Sequence, residues 1–468
     1  MNVRVVFIPA LGLLLGACAT PSPLPPATAP VSAEAGAAAL AARSLADAGL
    51  RRFLAENLGR EQPAAWDFES LSWVAFYYHP ALALARAQWA GTRAAQQTAA
   101  ARPNPTLSLV PGYNSSREPG LSPWFPAVNF DFLLPASAQR TRQQAVATAE
   151  AEASRLAVVA GAWQVRAELR RALAEADAAA RRAQLLGTQI SLQQEILALL
   201  TARLTSGRIA SPEVSATRTA LLKAESAAAE AHSQVATARV HVAAALGLPV
   251  SALDGVTLPA PPVAAPLPPA ALADARRESL QTRADVLSSL AHHHAVQAAL
   301  ELEIAKRQPD LHLGPGYQWD QGASKWSLAL TFELPLFHHN EGPLAEAAAR
   351  RSAAAAQVLA VQAQAIAAVD LAVAAQTSAG LQQAHAVRLT AELRQQSAAA
   401  QRRFALGAAD RLELNSARLD LATAEAATLD ATLALALASG QLEDALQIPF
   451  PHLTALADPA RATSASSP

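Results

Sequence analysis

With one cysteine, one methionine and four tyrosines in 468 residues, the chain excludes several classes of protein. A lone Cys18 rules out a disulfide or a thiolate metal cluster within one chain. Only 16% of residues are charged and the net charge is −1, so a nucleic-acid binder's electrostatic footprint is missing. No H-E-x-x-H or G-x-S-x-G occurs, and Gly314-Pro315-Gly316 falls in a predicted strand with no phosphate-binding helix after it. Neither enzyme chemistry nor a cofactor is expected. Beyond the first residues no segment reads as a transmembrane helix, so any membrane crossing must use strands.

The N-terminus carries targeting information. A short basic start, MNVR, precedes VVFIPALGLLL, an apolar run of signal-peptide length that is too short to span a bilayer. Leu15-Gly16-Ala17-Cys18 follows and resembles a bacterial lipobox, in which the cysteine becomes the acylated (palmitate-bearing) first residue. Residues 1–17 are thus expected to be a signal peptide. Residues 18–38, rich in Pro, Ala and Ser, are expected to be an extended tether from the lipidated Cys18.

The rest of the chain is written twice. ARPNPTLSLVPGY (101–113) answers to AKRQPDLHLGPGY (305–317), and NFDFLLP (129–135) to ALTFELP (329–335). ARLTSGRIASPEVSATR (202–218) matches RRFALGAADRLELNSAR (402–418). The repeats are placed at 39–249 and 273–449, joined by a proline-rich connector at 250–272 and followed by a tail at 450–468. No proline lies between Pro135 and Pro212, between Pro212 and Pro249, or between Pro343 and Pro449. Such alanine-rich windows predict long helices at about 136–204, 211–247, 340–404 and 411–447. Shorter helices are predicted at about 72–101 and 278–306. Leu186, Ile190, Leu197, Leu200 and Leu204, interrupted by Gln193, have coiled-coil spacing. Two short helices stacked end to end match one long helix, which gives a rod of about 100 Å.

At one end of the rod come the turns. Gly207 ends one helix, and Ser211-Pro212-Glu213 starts the next with Ser as N-cap and Pro at the first helical position. Gly407 ends the matching helix, and Asp410, Arg411 and Glu413 have capping-box spacing. At the other end four strands are predicted at roughly 105–114, 124–134, 309–318 and 326–335. WSLALTFELPLF (326–337) alternates apolar and polar residues. Tyr113, Trp124, Phe125, Phe130, Phe132, Tyr317, Trp319, Trp326, Phe332 and Phe337 cluster here, as an interfacial girdle would. Four strands cannot close a barrel, and three chains would supply twelve.

These features resemble the bacterial outer-membrane efflux proteins, the TolC-like channels, over roughly residues 70–449. The resemblance rests on the duplicated P-x-L-x-L-x-x-G-Y strands, the L-P-L-F strand end and the turns at 207–217 and 407–417. It implies a mainly α fold with a membrane β-barrel portion: coiled helical hairpins forming a periplasmic α-barrel, and four strands per chain in a trimeric twelve-stranded outer-membrane β-barrel. The implied partners are two further copies in a homotrimer, a periplasmic adaptor, an inner-membrane efflux pump and outer-membrane lipids. Gly207, Ser211, Pro212, Gly407, Asp410 and Arg411 fall on the adaptor-facing tip. Glu213 and Glu413 fall on the constriction, while Ser416 stands where some members carry a second acid. LPLFHHNEGPLAEAAARR (334–351) is similar to the cobalt–zinc–cadmium branch, which implies divalent-metal export through this passive duct.

The same channel exporting organic compounds remains open, whereas an adaptor lipoprotein would need a lipoyl-like β domain between its hairpins. His292, His293 and His294 point about 100° apart on a helix and are expected to be a solvated patch rather than a metal site. His338-His339 reads as a polar strand-to-helix joint.

Overall fold

A computed structural model describes residues 32–59, 65–115, 120–263 and 267–447. The chain divides after Ser44 into two units. The described part of the first holds α1 (Ala33–Ala41), capped by Ser32 Oγ, which accepts from the Ala35 amide at 3.1 Å. The stretch read as extended tether therefore ends in a helix.

The second unit begins with α2 (Ala48–Leu58), α3 (Phe68–Tyr78) and α4 (Pro80–Ala100). The hairpin β1 (Thr106–Tyr113) and β2 (Trp124–Leu134) follows, then α5 (Ser137–Thr205) and α6 (Ser211–Leu246). After a 3₁₀ turn at Val250–Leu253 the order repeats: α7 (Pro269–Thr282), α8 (Ala284–Ala305), β3 (Leu311–Asp320), β4 (Ala323–Phe332), α9 (Glu341–Ala405) and α10 (Arg411–Leu446). The duplication is structural as well as sequential. At 69 and 65 residues, α5 and α9 are each about 100 Å long.

Each predicted short helix is in fact two. His79 (ψ 125°) separates α3 from α4, and Arg283 (ψ 129°) separates α7 from α8, at equivalent positions. Pro80 explains the first break: it has no amide for the Phe76 carbonyl, and Arg86 Nη1 donates there instead at 2.9 Å. Both breaks receive the far end of a long hairpin. Gly247, in left-handed conformation, lies so close to the Tyr78 carbonyl that a Cβ would sit 2.7 Å from it. Its counterpart Gln447 caps the second break, Oε1 accepting from the Ala284 amide at 2.9 Å.

The main core surrounds the first break. Trp73, Phe76, Leu50 and Leu71 pack on Val165, Leu169, Val242 and Leu246. Leu253 and the start of the connector close this core, and α7 begins at Pro269, inside the stretch read as connector. Elsewhere packing is thin and side by side. On α9, Ala347, Ala354, Val358, Ala365, Val369, Ala372, Gln376 and Ala379 are buried at alternating three-, four- and seven-residue spacing, one stripe against neighbouring helices. In α5, Leu200 is buried as its seam position requires, but Ile196 is buried rather than Leu197. By length and composition α9 and α10 are apolar enough to cross a membrane, contrary to the sequence reading. Alanine supplies most of that character, and both helices run in the coil.

The sheet is antiparallel in the order β1-β2-β3-β4. β4 lies about three residues before its predicted place, because Gln321 and Gly322 (φ 50° and 93°) turn the β3–β4 hairpin there. The segment from Leu334 to Phe337 therefore follows the strand rather than ending it.

Candidate functional site: a two-faced sheet and the helix turns

Cα partners across the sheet share a face, and the register sorts its side chains. Leu107, Leu109, Pro111 and Tyr113 pair with Phe130, Val128, Pro126 and Trp124. Leu311, Leu313, Pro315 and Tyr317 pair with Phe332, Leu330, Leu328 and Trp326. Phe132 opposite Leu313 joins the two sets into one apolar face. It is bare in the single chain: Trp326, Leu328 and Leu330 are 80%, 65% and 60% exposed. Away from the helices this face ends in two equivalent aromatic pairs, Tyr113–Trp124 at 5.0 Å and Tyr317–Trp326 at 4.8 Å. From Trp326 to Phe332 the band runs roughly 20 Å.

The opposite face carries Ser108, Asn129, Asp131, His312, Gln318, Lys325, Ser327 and Thr331, with Val110, Phe125 and Leu133 as apolar exceptions. His312 Nδ1 lies 3.0 Å from Asp131 Oδ2, joining the repeats across β2 and β3. Gly316 leaves room on this face for neighbouring polar side chains: a Cβ there would come within 2.5 Å of Asn129 Oδ1 and 2.6 Å of Ser327 Oγ. One face thus suits hydrocarbon and the other water.

At the far end, Gly207 and Gly407 (φ 71° and 73°) make the same Schellman turn. The Gly207 and Arg208 amides donate to the Leu204 and Arg203 carbonyls, both at 2.9 Å; the Gly407 and Ala408 amides donate to those of Phe404 and Arg403, at 3.0 and 2.8 Å. The helix starts differ from the prediction. Ala210, not Ser211, is the N-cap of α6, so Ser211 and Pro212 are its first two residues and no side chain caps it. Asp410 does cap α10, Oδ1 accepting from the Glu413 amide at 2.8 Å, but the reciprocal half of the box is absent because Glu413 pairs with Arg403 instead.

Within the chain, these turns are tied together through Asp410 and Arg411 by three residues the sequence reading missed, Arg203, Glu195 and Asn415. Arg203 Nη2 reaches Asp410 Oδ2 at 2.6 Å, and Glu195 Oε2 takes Asn415 Nδ2 at 2.9 Å and Arg411 Nη2 at 3.3 Å. Hydrogen bonds from the Glu413 amide and Arg203 hold the Asp410 carboxyl below its ordinary range, and those from Asn415 and Arg411 do the same for Glu195. Glu213 is exposed and has no side-chain partner among the described residues. The repeats are asymmetric here: Arg403 pairs with Glu413 of its own hairpin, whereas Arg203, its counterpart, reaches Asp410 of the other.

Cys18 lies outside the described residues, as do the signal segment and the tail. His292 and His294 are exposed and His293 half-buried on α8. His339 Nδ1 lies 3.3 Å from Glu341 Oε1 at the joint into α9.

Residues 275–446 match the model of the outer membrane efflux protein family. No curated protein matches the chain in sequence. Among solved structures, the fold is similar to the outer membrane protein VceC of Vibrio cholerae, with a TM-score of 0.66, 20% identity, and 81% of this chain and 95% of that one covered. It is similar to the CmeC outer membrane channel of Campylobacter jejuni (TM-score 0.66, 14% identity, 81% and 85% covered) and to the outer-membrane channel OprN (0.65, 19%, 81% and 89%). At these identities the likeness establishes the fold. The chain as a whole thus has the TolC-like channel fold, and its residues 275–446 are similar to the outer membrane efflux proteins.

Proposed function

We propose that three copies of this chain close a twelve-stranded barrel in a bacterial outer membrane above a helical duct in the periplasm. The observation that carries this reading is the two-faced sheet, in which the outer edges of β1 and β4 have no partner among the described residues. In hydrocarbon an open edge would leave amides and carbonyls unsatisfied. Pairing β4 of one copy with β1 of the next removes every edge and turns the apolar face to lipid.

The duct conducts passively. Energy for export comes from an inner-membrane pump, reached through a periplasmic adaptor that docks on the turns around Gly207, Ser211, Pro212, Gly407, Asp410 and Arg411. Glu213 and Glu413 line the constriction there, and a movement of the coiled hairpins opens it. Acylation at Cys18 anchors each chain. The cargo proposed is divalent metal cations, on the similarity of residues 334–351 to the cobalt–zinc–cadmium branch; organic compounds are the second reading.

Leu330 and Thr331, neighbours on opposite faces of β4, test the barrel. Leu330→Arg is expected to cost about 2–4 kcal/mol near the bilayer midplane and to abolish trimers in outer-membrane fractions. Thr331→Arg is expected to assemble and alter conductance. Equal tolerance of both would refute the barrel. The cargo is tested by deleting the gene and measuring growth inhibition by cobalt, zinc, cadmium, nickel and copper against organic drugs and dyes. Sensitivity to organics alone would overturn the metal reading and leave the channel.

A further inference from the structure

Where β2 runs into α5, an open groove of about 680 Å³ is lined by the apolar run Phe132 to Pro135 together with Arg102, Arg140 and Gln144, with no acidic residue in its wall. Phe132 and Leu134 belong to the apolar face, at its helix-proximal end. Arg102 has no partner among the described residues. Arg140 donates from Nη2 to the Ala100 carbonyl at 2.6 Å, while its buried Nε has no partner. Two cations with spare donors therefore sit where the apolar band ends.

The duplication supplies a comparison. At the equivalent joint of the second repeat the groove is about 180 Å³ and includes the acid Glu333. Lys306, in the place of Arg102, is paired with Glu303 at 2.6 Å, and Asn340, in the place of Arg140, donates to the Glu303 carbonyl at 2.9 Å. At the second joint the lysine is paired and Glu333 shares the wall with Arg307; at the first, both arginines stand beside an apolar wall with no acid.

We infer that the first-repeat groove binds the headgroup of an anionic phospholipid from the leaflet facing the helices, one per chain. The phosphodiester takes the Arg102 and Arg140 guanidiniums, which present several donors in a fixed fork, and the acyl chains run along Phe132 and Leu134. The inference rests on the proposed membrane orientation, because only that places the joint at headgroup depth.

The test uses the full-length trimer in detergent, titrated with phosphatidylglycerol and followed by native mass spectrometry. Three lipids per trimer are expected to bind in preference to phosphatidylethanolamine. Arg102→Ala, at an exposed unpartnered side chain, is expected to weaken binding about fivefold, and Arg102→Ala/Arg140→Ala by about 25-fold. Lys306→Ala is expected to change nothing. Unchanged affinity in Arg102→Ala, equal binding of phosphatidylethanolamine, or full competition by inorganic phosphate would each overturn the inference, the last in favour of a free-phosphate site. Conductance of the same trimers in planar bilayers separates the two readings: conducting trimers without lipid preference refute only this site, and non-conducting wild-type trimers refute the channel.

Discussion

Arg166 on α5 and Glu443 on α10 meet across the two repeats, with Arg166 Nη2 2.6 Å from Glu443 Oε1. Arg170, one turn on, holds the other carboxylate oxygen. Both guanidiniums are buried, and the Phe68 ring lies against them at 5.0 and 4.9 Å. Burial alone would raise the Glu443 carboxyl; the two arginines outweigh it and hold it below the ordinary glutamate range. The cluster pins the end of the second repeat to the middle of the first repeat's long helix.

Removing its acid should therefore be costly. Glu443→Gln leaves two buried guanidiniums without their counter-charge and is expected to destabilise the fold by about 3–5 kcal/mol. The heat-dissociation temperature of detergent-solubilised trimers, read on gels, should fall; an unchanged temperature would show that water already solvates the cluster.

The next residue has the opposite sign. Burial pushes the Asp444 carboxyl up to about 6, despite the nearby arginines. The native state then holds a proton that the unfolded chain releases above the ordinary aspartate pKa, so stability falls as pH rises through about 6. Asp444→Asn is expected to raise the unfolding temperature at pH about 8 and to leave it unchanged at pH about 3.5, below both values. A shift of equal size at both pH values would refute burial as the cause.

At the turns the two acids proposed for the constriction are inequivalent. Glu413 is neutralised by Arg403, whereas Glu213 has no side-chain partner among the described residues. At low salt, Glu213→Gln is expected to reduce cation selectivity more than Glu413→Gln, and Arg403→Gln to increase it. Reversal potentials across planar bilayers check this, and identical values for all three variants would remove both acids from the constriction.

Asp410 both caps α10 and receives Arg203. Asp410→Ala is expected to cost about 1 kcal/mol through the cap, with little from the exposed pair. Hydrogen exchange at the Glu413 amide should accelerate, and channel conductance should rise if the Arg203 contact restrains the hairpins. Faster exchange with unaltered conductance would confine Asp410 to a structural role.

Long helices were legible to within a residue or two, because the proline-free windows and the turn glycines are local signals. The period of two found all four strands, but β4 was misplaced: its alternation continues past Phe332, while the hairpin turn at Gln321-Gly322 sets where pairing starts. Pro80 was a visible breaker that a helix drawn over 72–101 ignored. The break at Arg283 has no proline and depends on its seat against Gln447, which only packing reveals. Ser211 is a good N-cap residue, yet backbone geometry one residue earlier decided otherwise.

By itself the sequence determined the duplication, the long coiled hairpins, the amphipathic strands and the turn glycines, since each is written in periodicity or in residues whose φ is restricted. Tertiary structure alone decided which charges meet. Arg203 with Asp410, Arg166 with Glu443 and Asp131 with His312 join residues 181 to 277 positions apart, and every carboxylate or guanidinium had many partners that spacing could not distinguish. Register in the sheet and coil chose among them, because a one-residue slip reverses a side chain's face in a strand and turns it by about 100° on a helix.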